Sequence, residues 1–206
     1  MPEILSYFLH IDKYLGILFD SYGPAVYFIL FLIILGETGL VIAPFLPGDS
    51  LLFIAGTFAG IGSLNIYLLF FLFSLAAILG DSLNYFVGAY FGKKISKDGR
   101  FIRQEHLDKT NAFYEKHGGK TIILARFMPI VRTFAPFVAG MGKMNYSKFF
   151  AFNIIGGILW VSIFVFGGFF FGGIPSVKEN LSYVIILIVI VSFMPIFYEF
   201  LKRKIR

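Results

Sequence analysis

Gly36-Glu37-Thr38-Gly39-Leu40-Val41-Ile42-Ala43-Pro44-Phe45-Leu46-Pro47-Gly48-Asp49-Ser50 is the stretch whose reading decides the fold. It sets two carboxylates, Glu37 and Asp49, and three helix breakers, Pro44, Pro47 and Gly48, between apolar runs at 27–35 and 51–59. A charge at hydrocarbon depth costs about 2.5–3.5 kcal/mol on insertion scales, so such a group faces a protein interior or a watery cavity. Proline removes a backbone donor and breaks helices. Broken backbone at membrane depth is allowed only where protein or water satisfies it. The pattern predicts a re-entrant hairpin over 36–59 that lines a polar cavity.

The surrounding chain supplies the membrane context. Of 206 residues, 58% are hydrophobic and 28 are Phe, and the mean hydropathy is +0.82. A soluble domain of this length could not hide that much apolar surface, so the chain is expected to be an integral membrane protein. Charged residues make up 15%, against about 25% in soluble proteins. Cysteine is absent, which removes disulfides and thiolate metal sites. The first thirteen residues hold Glu3 and Asp12 and no basic region before an apolar run, unlike a cleaved signal peptide. The net charge of +6 does not point to nucleic acid, because the basic residues cluster in loops beside apolar spans, as cytoplasmic loops do.

One transmembrane domain over 1–206 is expected. Residues 1–22 space Ile4, Leu5, Phe8, Ile11, Leu15 and Leu18 as an interfacial helix. The first hairpin, 36–59, leads to a transmembrane helix at 64–92 that carries Asp81 and Asn84. A basic cytoplasmic loop with a surface helix follows at 93–120. Residues 121–142 form a second broken stretch, with Arg126, Pro129, Arg132 and Pro136 in otherwise apolar sequence. Transmembrane helices are expected at 145–172 and 181–200, and a basic tail at 201–206. Basic segments stay in the cytoplasm. That rule puts 93–120 and the tail inside, with both termini cytoplasmic, and makes the two hairpins open to opposite sides.

An internal repeat agrees with this layout. A shift of 80 positions matches Asn65 with Asn145, Phe70 with Phe150, Ile78 with Ile158, Leu79 with Leu159, Gly88 with Gly168, Phe91 with Phe171 and Gly92 with Gly172. Upstream, Ala43-x-Phe45-x-Pro47 matches Ala125-x-Phe127-x-Pro129, and Phe53-x-Ala55-Gly56 matches Phe137-x-Ala139-Gly140. The matched helices run in opposite directions by the charge rule, so the repeat would be inverted. Inverted repeats with discontinuous helices are a transporter architecture.

Five ionisable residues lie at membrane depth: Glu37, Asp49, Asp81, Arg126 and Arg132. As structural ion pairs they would gain little, since buried pairs seldom stabilise more than packed apolar residues would. Function therefore explains Glu37, Asp49, Arg126 and Arg132 better. Asp81 and Asn84 divide evenly between function and the satisfaction of neighbouring backbone. Arginine keeps its charge and offers a planar fork that matches phosphate, so Arg126 and Arg132, six positions apart across Pro129, could converge on one anionic headgroup. Carboxylates in a low-dielectric cavity can carry protons, which makes Glu37 and Asp49 the proton-coupling candidates. Pro44, Pro47, Gly48, Pro129 and Pro136 are the expected hairpin breakers. Gly88-x-x-x-Gly92 and Gly168-x-x-x-Gly172 are helix-packing patterns, and Trp160 is most simply a packing residue. His10, His106 and His117 are scattered, so no metal site is expected. Asp49-Ser50 lacks a histidine base in comparable sequence, and no phosphate loop or zinc signature occurs. Neither enzymatic activity nor a cofactor is expected.

These residues resemble a known family. Glu37-Thr38-Gly39-Leu40 with Pro44-Phe45-Leu46-Pro47-Gly48-Asp49-Ser50-Leu51-Leu52 looks like the first signature of the DedA family. Residues 113–120, then Ala125-Arg126-Phe127-x-Pro129-x-x-Arg132-Thr133-Phe134-Ala135-Pro136, resemble its second, and Asn153-x-x-Gly156-x-x-x-Trp160 continues it. The resemblance implies an all-α polytopic protein of the bacterial inner membrane, with two re-entrant hairpins in inverted repeats. It implies a lipid translocase driven by the proton motive force. The family's functional acids and arginines fall on Glu37, Asp49, Arg126 and Arg132, with Asp81, Asn84 and Asn153 as accessory candidates. The expected partners are protons and a membrane lipid, undecaprenyl phosphate or phosphatidylethanolamine; a homo-oligomer is compatible, and nucleic acid is not expected. The rival expectations are a phosphatidylethanolamine flippase or scramblase, a proton-coupled ion antiporter and a non-transporting envelope scaffold.

Overall fold

The structure, a computed structural model, describes residues 23–40, 48–98, 119–172, 174–175 and 187, without the side chains of 92–98, 129 and 130. The interfacial helix expected at 1–22, Pro44 and Pro47, most of the 93–120 loop, the span at 181–200 and the basic tail lie outside the described residues. Within them the chain is helical and contains no strand. In order come α1 (Ala25–Gly39), α2 (Gly48–Gly60), α3 (Ile66–Asp98), α4 (Lys120–Ala125), α5 (Pro129–Met141), α6 (Tyr146–Val161), a π-helical turn (Ser162–Phe166) and α7 (Gly167–Phe171).

Two of these stretches, Ile66–Phe91 and Tyr146–Phe171, are long and apolar enough to cross a membrane. Down α3 a stripe of large apolar residues is exposed at helical spacing: Phe71, Leu75, Leu79, Leu83, Phe86 and Tyr90. Such a stripe would be a liability in water and is the expected surface in lipid. Both long helices start on an asparagine. Asn65 Oδ1 accepts from the N–H groups of Tyr67 (3.0 Å) and Leu68 (3.1 Å), and Asn145 Oδ1 from that of Lys148 (3.2 Å). Each satisfies donors that the first helical turn leaves open. Helix α3 continues to Asp98, beyond the expected end near residue 92.

The chain divides into two compact units, one of residues 1–33, 46–73 and 160–206, the other of 34–45 and 74–159. In the first unit α2 crosses the helix that follows Trp160. A Cβ at Gly56 would overlap the Val165 carbonyl oxygen, and one at Gly168 would overlap that of Phe53. Thr57 Oγ1 donates at this crossing to Phe53 O at 3.1 Å and Gly168 O at 3.4 Å. In the second unit α5 crosses α3. A Cβ at Gly140 would overlap the Tyr85 carbonyl oxygen, and one at Gly88 that of Phe137. Small residues let helix backbones approach closely where lipid supplies no hydrophobic drive. Positions 56 and 53 lie 84 before 140 and 137, and positions 88 and 85 lie 80 before 168 and 165. The two crossings are therefore built from matching residues. Around the second lies a core of Tyr85, Ile122, Ala125, Ala135, Ala139 and Phe149, with the rings of Tyr85 and Phe149 stacked at 4.6 Å.

One breaker is misassigned in the sequence analysis. Pro136 lies inside α5, not at a break. The break falls at Arg126–Met128, and Pro129 sits in the first turn of α5, where a missing N–H removes nothing from the helix. An interior proline leaves the carbonyl four residues back without its helical donor. Asn84 Nδ2, reaching from α3, donates to the adjacent Thr133 carbonyl at 2.6 Å, and Pro136 is buried. Asn84 thus ties α5 to α3 one residue from the carbonyl that Pro136 leaves without a helical donor.

Candidate functional site

The second unit gathers charged side chains from four chain segments. Helix α1 brings Glu37. Its last turn lies against α3, where a Cβ at Gly39 would stand 3.4 Å from the Gly80 Cα. Thr38 Oγ1 donates back to Ile34 O at 2.8 Å and is itself buried. Helix α3 brings Asp81 and, three residues on, Asn84. The break after α4 brings Arg126, and the first turns of α5 bring Arg132. All five residues are at most 3% exposed, which at this depth demands partners.

Two acid–arginine pairs result. Arg132 Nη2 donates to Glu37 Oε1. Arg126 Nη2 donates to Asp81 Oδ2 at 2.5 Å, to Asn153 Oδ1 and, more distantly, to Ala77 O at 3.4 Å. Asn153 is held in turn: its Nδ2 donates to Ile78 O at 3.0 Å and to Ser82 Oγ at 3.3 Å. Helix α6 makes room for the guanidinium with two glycines. A Cβ at Gly156 would stand 3.3 Å from Arg126 Nε, and one at Gly157 would stand 3.6 Å from Nη1. Charge interactions link the pairs, since Asp81 feels Arg132 as well as Arg126, and Arg126 feels Glu37.

Asp49 belongs to the first unit, in the opening turn of α2. Its Oδ1 accepts from Trp160 Nε1 at 2.8 Å. Trp160 is fully buried, so it packs as expected and also orients a carboxylate. Ser50, next to Asp49, is buried as well.

Several assignments from the sequence thus change. Each arginine holds an acid, a pairing that the sequence did not specify: Arg132 takes Glu37 and Arg126 takes Asp81. Asp81, ranked with Asn84 as accessory, is Arg126's ion partner, while Asn84 serves backbone. Asn153 touches Arg126 directly. Ser82 and Gly157 were not singled out, and Gly156 entered only as part of a motif; their signal was helical spacing, since Ile78, Asp81, Ser82 and Tyr85 share one side of α3, and Asn153, Gly156 and Gly157 one side of α6. Among the described residues no group of three or more His, Asp or Glu could hold a metal ion.

Long apolar helices around buried, paired charges define an all-helical integral membrane protein. A model of the VTT domain matches residues 46–170, and the chain belongs to the DedA family of VTT-domain membrane proteins. It is 53% identical to protein DedA of Escherichia coli, over 98% of this chain and 94% of that one. It is 42% identical to a membrane protein of Mycobacterium leprae, over 84% of this chain and 76% of that one. To the inner membrane protein YqjA of Escherichia coli it is 33% identical, over 73% of this chain and 69% of that one. No solved structure matches. The membrane and inner-membrane names of these relatives agree with an integral bacterial membrane protein.

Proposed function

We propose that the chain moves a phospholipid headgroup across the bacterial inner membrane, driven by the proton motive force, with undecaprenyl phosphate as the first candidate cargo. Arg126 and Arg132 hold the phosphate, and Glu37 and Asp49 exchange protons with water. The segments around α1–α2 and α4–α5 act as re-entrant hairpins of an inverted repeat, a reading supported by the matched glycine crossings. The carrying observation is the state of Arg126: a permanent charge, 2% exposed, whose Nε and Nη1 have no hydrogen-bond partner. A guanidinium kept for structure would have its donors filled. Phosphate oxygens fill donors of this kind in a fixed, forked geometry.

Reconstitution into proteoliposomes tests this reading. Labelled undecaprenyl phosphate and phosphatidylethanolamine should be compared side by side, with and without a pH gradient. Arg126→Ala and Glu37→Ala should each abolish lipid movement while membrane insertion stays intact. Arg126→Lys should fail too, because an ammonium cannot reproduce the fork. Ion flux without lipid movement would establish the antiporter, and full function of the charge-removed variants would establish the scaffold.

A further inference from the structure

The Asp81–Arg126 pair is only partly made. Oδ2 of Asp81 takes Nη2 of Arg126 at 2.5 Å, while Asp81 Oδ1, Arg126 Nε and Nη1, and Asn84 Oδ1 are buried with no hydrogen-bond partner. Buried polar atoms are nearly always satisfied, and a pair serving only to lock helices would close its fork. Here, unfilled donors on Arg126 and an unfilled acceptor on its partner Asp81 lie in one small buried cluster, with Gly156 and Gly157 beside the guanidinium. Whatever fills the donors must bring oxygen, and whatever fills the acceptors must bring hydrogen.

Charge points the same way. Arg126 pairs with Asp81 and Arg132 with Glu37, each pair within reach of the other's charge; α6 presents uncharged Asn153 to Arg126. The two arginines and two carboxylates sum to zero. A phosphate with one negative charge entering this set leaves an uncompensated buried charge, which costs several kcal/mol. One proton restores neutrality.

We infer that Asp81 takes up that proton as the headgroup takes Arg126 from it, so that the Asp81–Arg126 ion pair is the latch of the empty site. This rests on the reading that Arg126 holds a phosphate, and it moves the proton taken up on binding from Glu37 and Asp49, where that reading put proton exchange, to Asp81. A phosphate oxygen displaces Asp81 Oδ2 from Nη2. A proton from water on the side of entry forms an O–H bond on Asp81. Nothing is oxidised or reduced. When the headgroup leaves, the proton returns to water on the side of exit and the ion pair re-forms.

The test uses the detergent-solubilised full chain and titration calorimetry in buffers of different ionisation enthalpy. Dihexanoyl phosphatidylglycerol, a phosphodiester with one fixed negative charge, is the probe. The unaltered protein should take up about one proton per headgroup, with affinity falling about tenfold per pH unit while that proton is linked. Asp81→Asn keeps an acceptor for Arg126 and should bind with no uptake and no such slope; Asp81→Glu should restore both. Dihexanoyl phosphatidylethanolamine brings its own positive charge and should bind the unaltered protein without uptake. Undiminished uptake in Asp81→Asn, with the proton lost instead in Glu37→Gln or Asp49→Asn, would overturn the assignment and leave lipid binding standing. Equal uptake with both lipids would also overturn it. No binding of either lipid by the unaltered protein would instead remove the phosphate reading itself, and this assignment with it.

Discussion

Removing Asp81 should unlock the helices around it. Asp81 and Arg126 meet at 2.5 Å and are 1% and 2% exposed. At an effective dielectric of about 20, two unit charges about 4 Å apart attract by roughly 4 kcal/mol. In Asp81→Ala the guanidinium keeps Asn153 and the distant Ala77 carbonyl but loses its counter-ion. Removing one member of a buried pair costs about 3–5 kcal/mol, and that is the expected loss of unfolding free energy. Arg126→Leu should cost less, because the stranded carboxyl can shed its charge by taking a proton and a guanidinium cannot. The double variant Asp81→Ala with Arg126→Leu leaves no stranded charge and should be more stable than Asp81→Ala alone. The assay is reversible unfolding in mixed micelles, closed as a double-mutant cycle. A loss below about 1 kcal/mol for Asp81→Ala, or a double variant as unstable as the two losses added, would refute a buried ion pair at this place.

Two further outcomes follow from local geometry. Trp160→Phe removes the donor to Asp49 Oδ1 at 2.8 Å together with part of a fully buried indole, and should cost at least about 1.5–3 kcal/mol in the same unfolding assay; no loss would separate the two residues. Gly56→Ala places a Cβ on the Val165 carbonyl and should cost about 1–3 kcal/mol. Gly36→Ala, where a Cβ meets nothing within 4 Å, should gain about 0.5–1 kcal/mol from helix propensity; equal effects at the two sites would remove close approach as the reason for Gly56.

The sequence spoke most clearly wherever hydrocarbon makes polarity costly. A charge or an asparagine in an apolar run is conspicuous, and Glu37, Asp81, Asn84, Arg126, Arg132 and Asn153 all stand out that way. Each is at most 3% exposed in the structure. Pairing was not legible, because it depends on which turns of separate helices face each other. Asp81 and Asn84 look alike in sequence, yet one meets a guanidinium and the other a carbonyl. Pro136 misled for a related reason: the signal for a break is local, while α5 is packed through Phe137 and Gly140 against Gly88 and Tyr85, residues distant in sequence. Trp160 was legible as a packing residue, but nothing near it in sequence announces Asp49, 111 positions away. The matching glycines and asparagines were legible because small residues at helix crossings and asparagines at helix starts are set by backbone geometry, which tolerates few substitutes.

Those crossings have a consequence for how the chain folds. Helix α2, from the first half of the sequence, crosses the helix after Trp160, from the second; α5, from the second half, crosses α3, from the first. Each compact unit likewise draws residues from both halves. The buried partners of Arg126 and Arg132 are Asp81 and Glu37, again one half meeting the other. A fragment ending at residue 105 would carry two unpaired buried acids, and its complement two unpaired buried arginines, each costing several kcal/mol. Neither should reach a stable fold alone. Expressed together in one membrane, the fragments should associate and recover protease resistance, since the crossings and the ion pairs join residues on both sides of the cut. Limited proteolysis of membranes holding one fragment or both decides this. A fragment that resists proteolysis equally well alone would show that its half closes on itself, and the exchanged crossings would then not be what holds the fold.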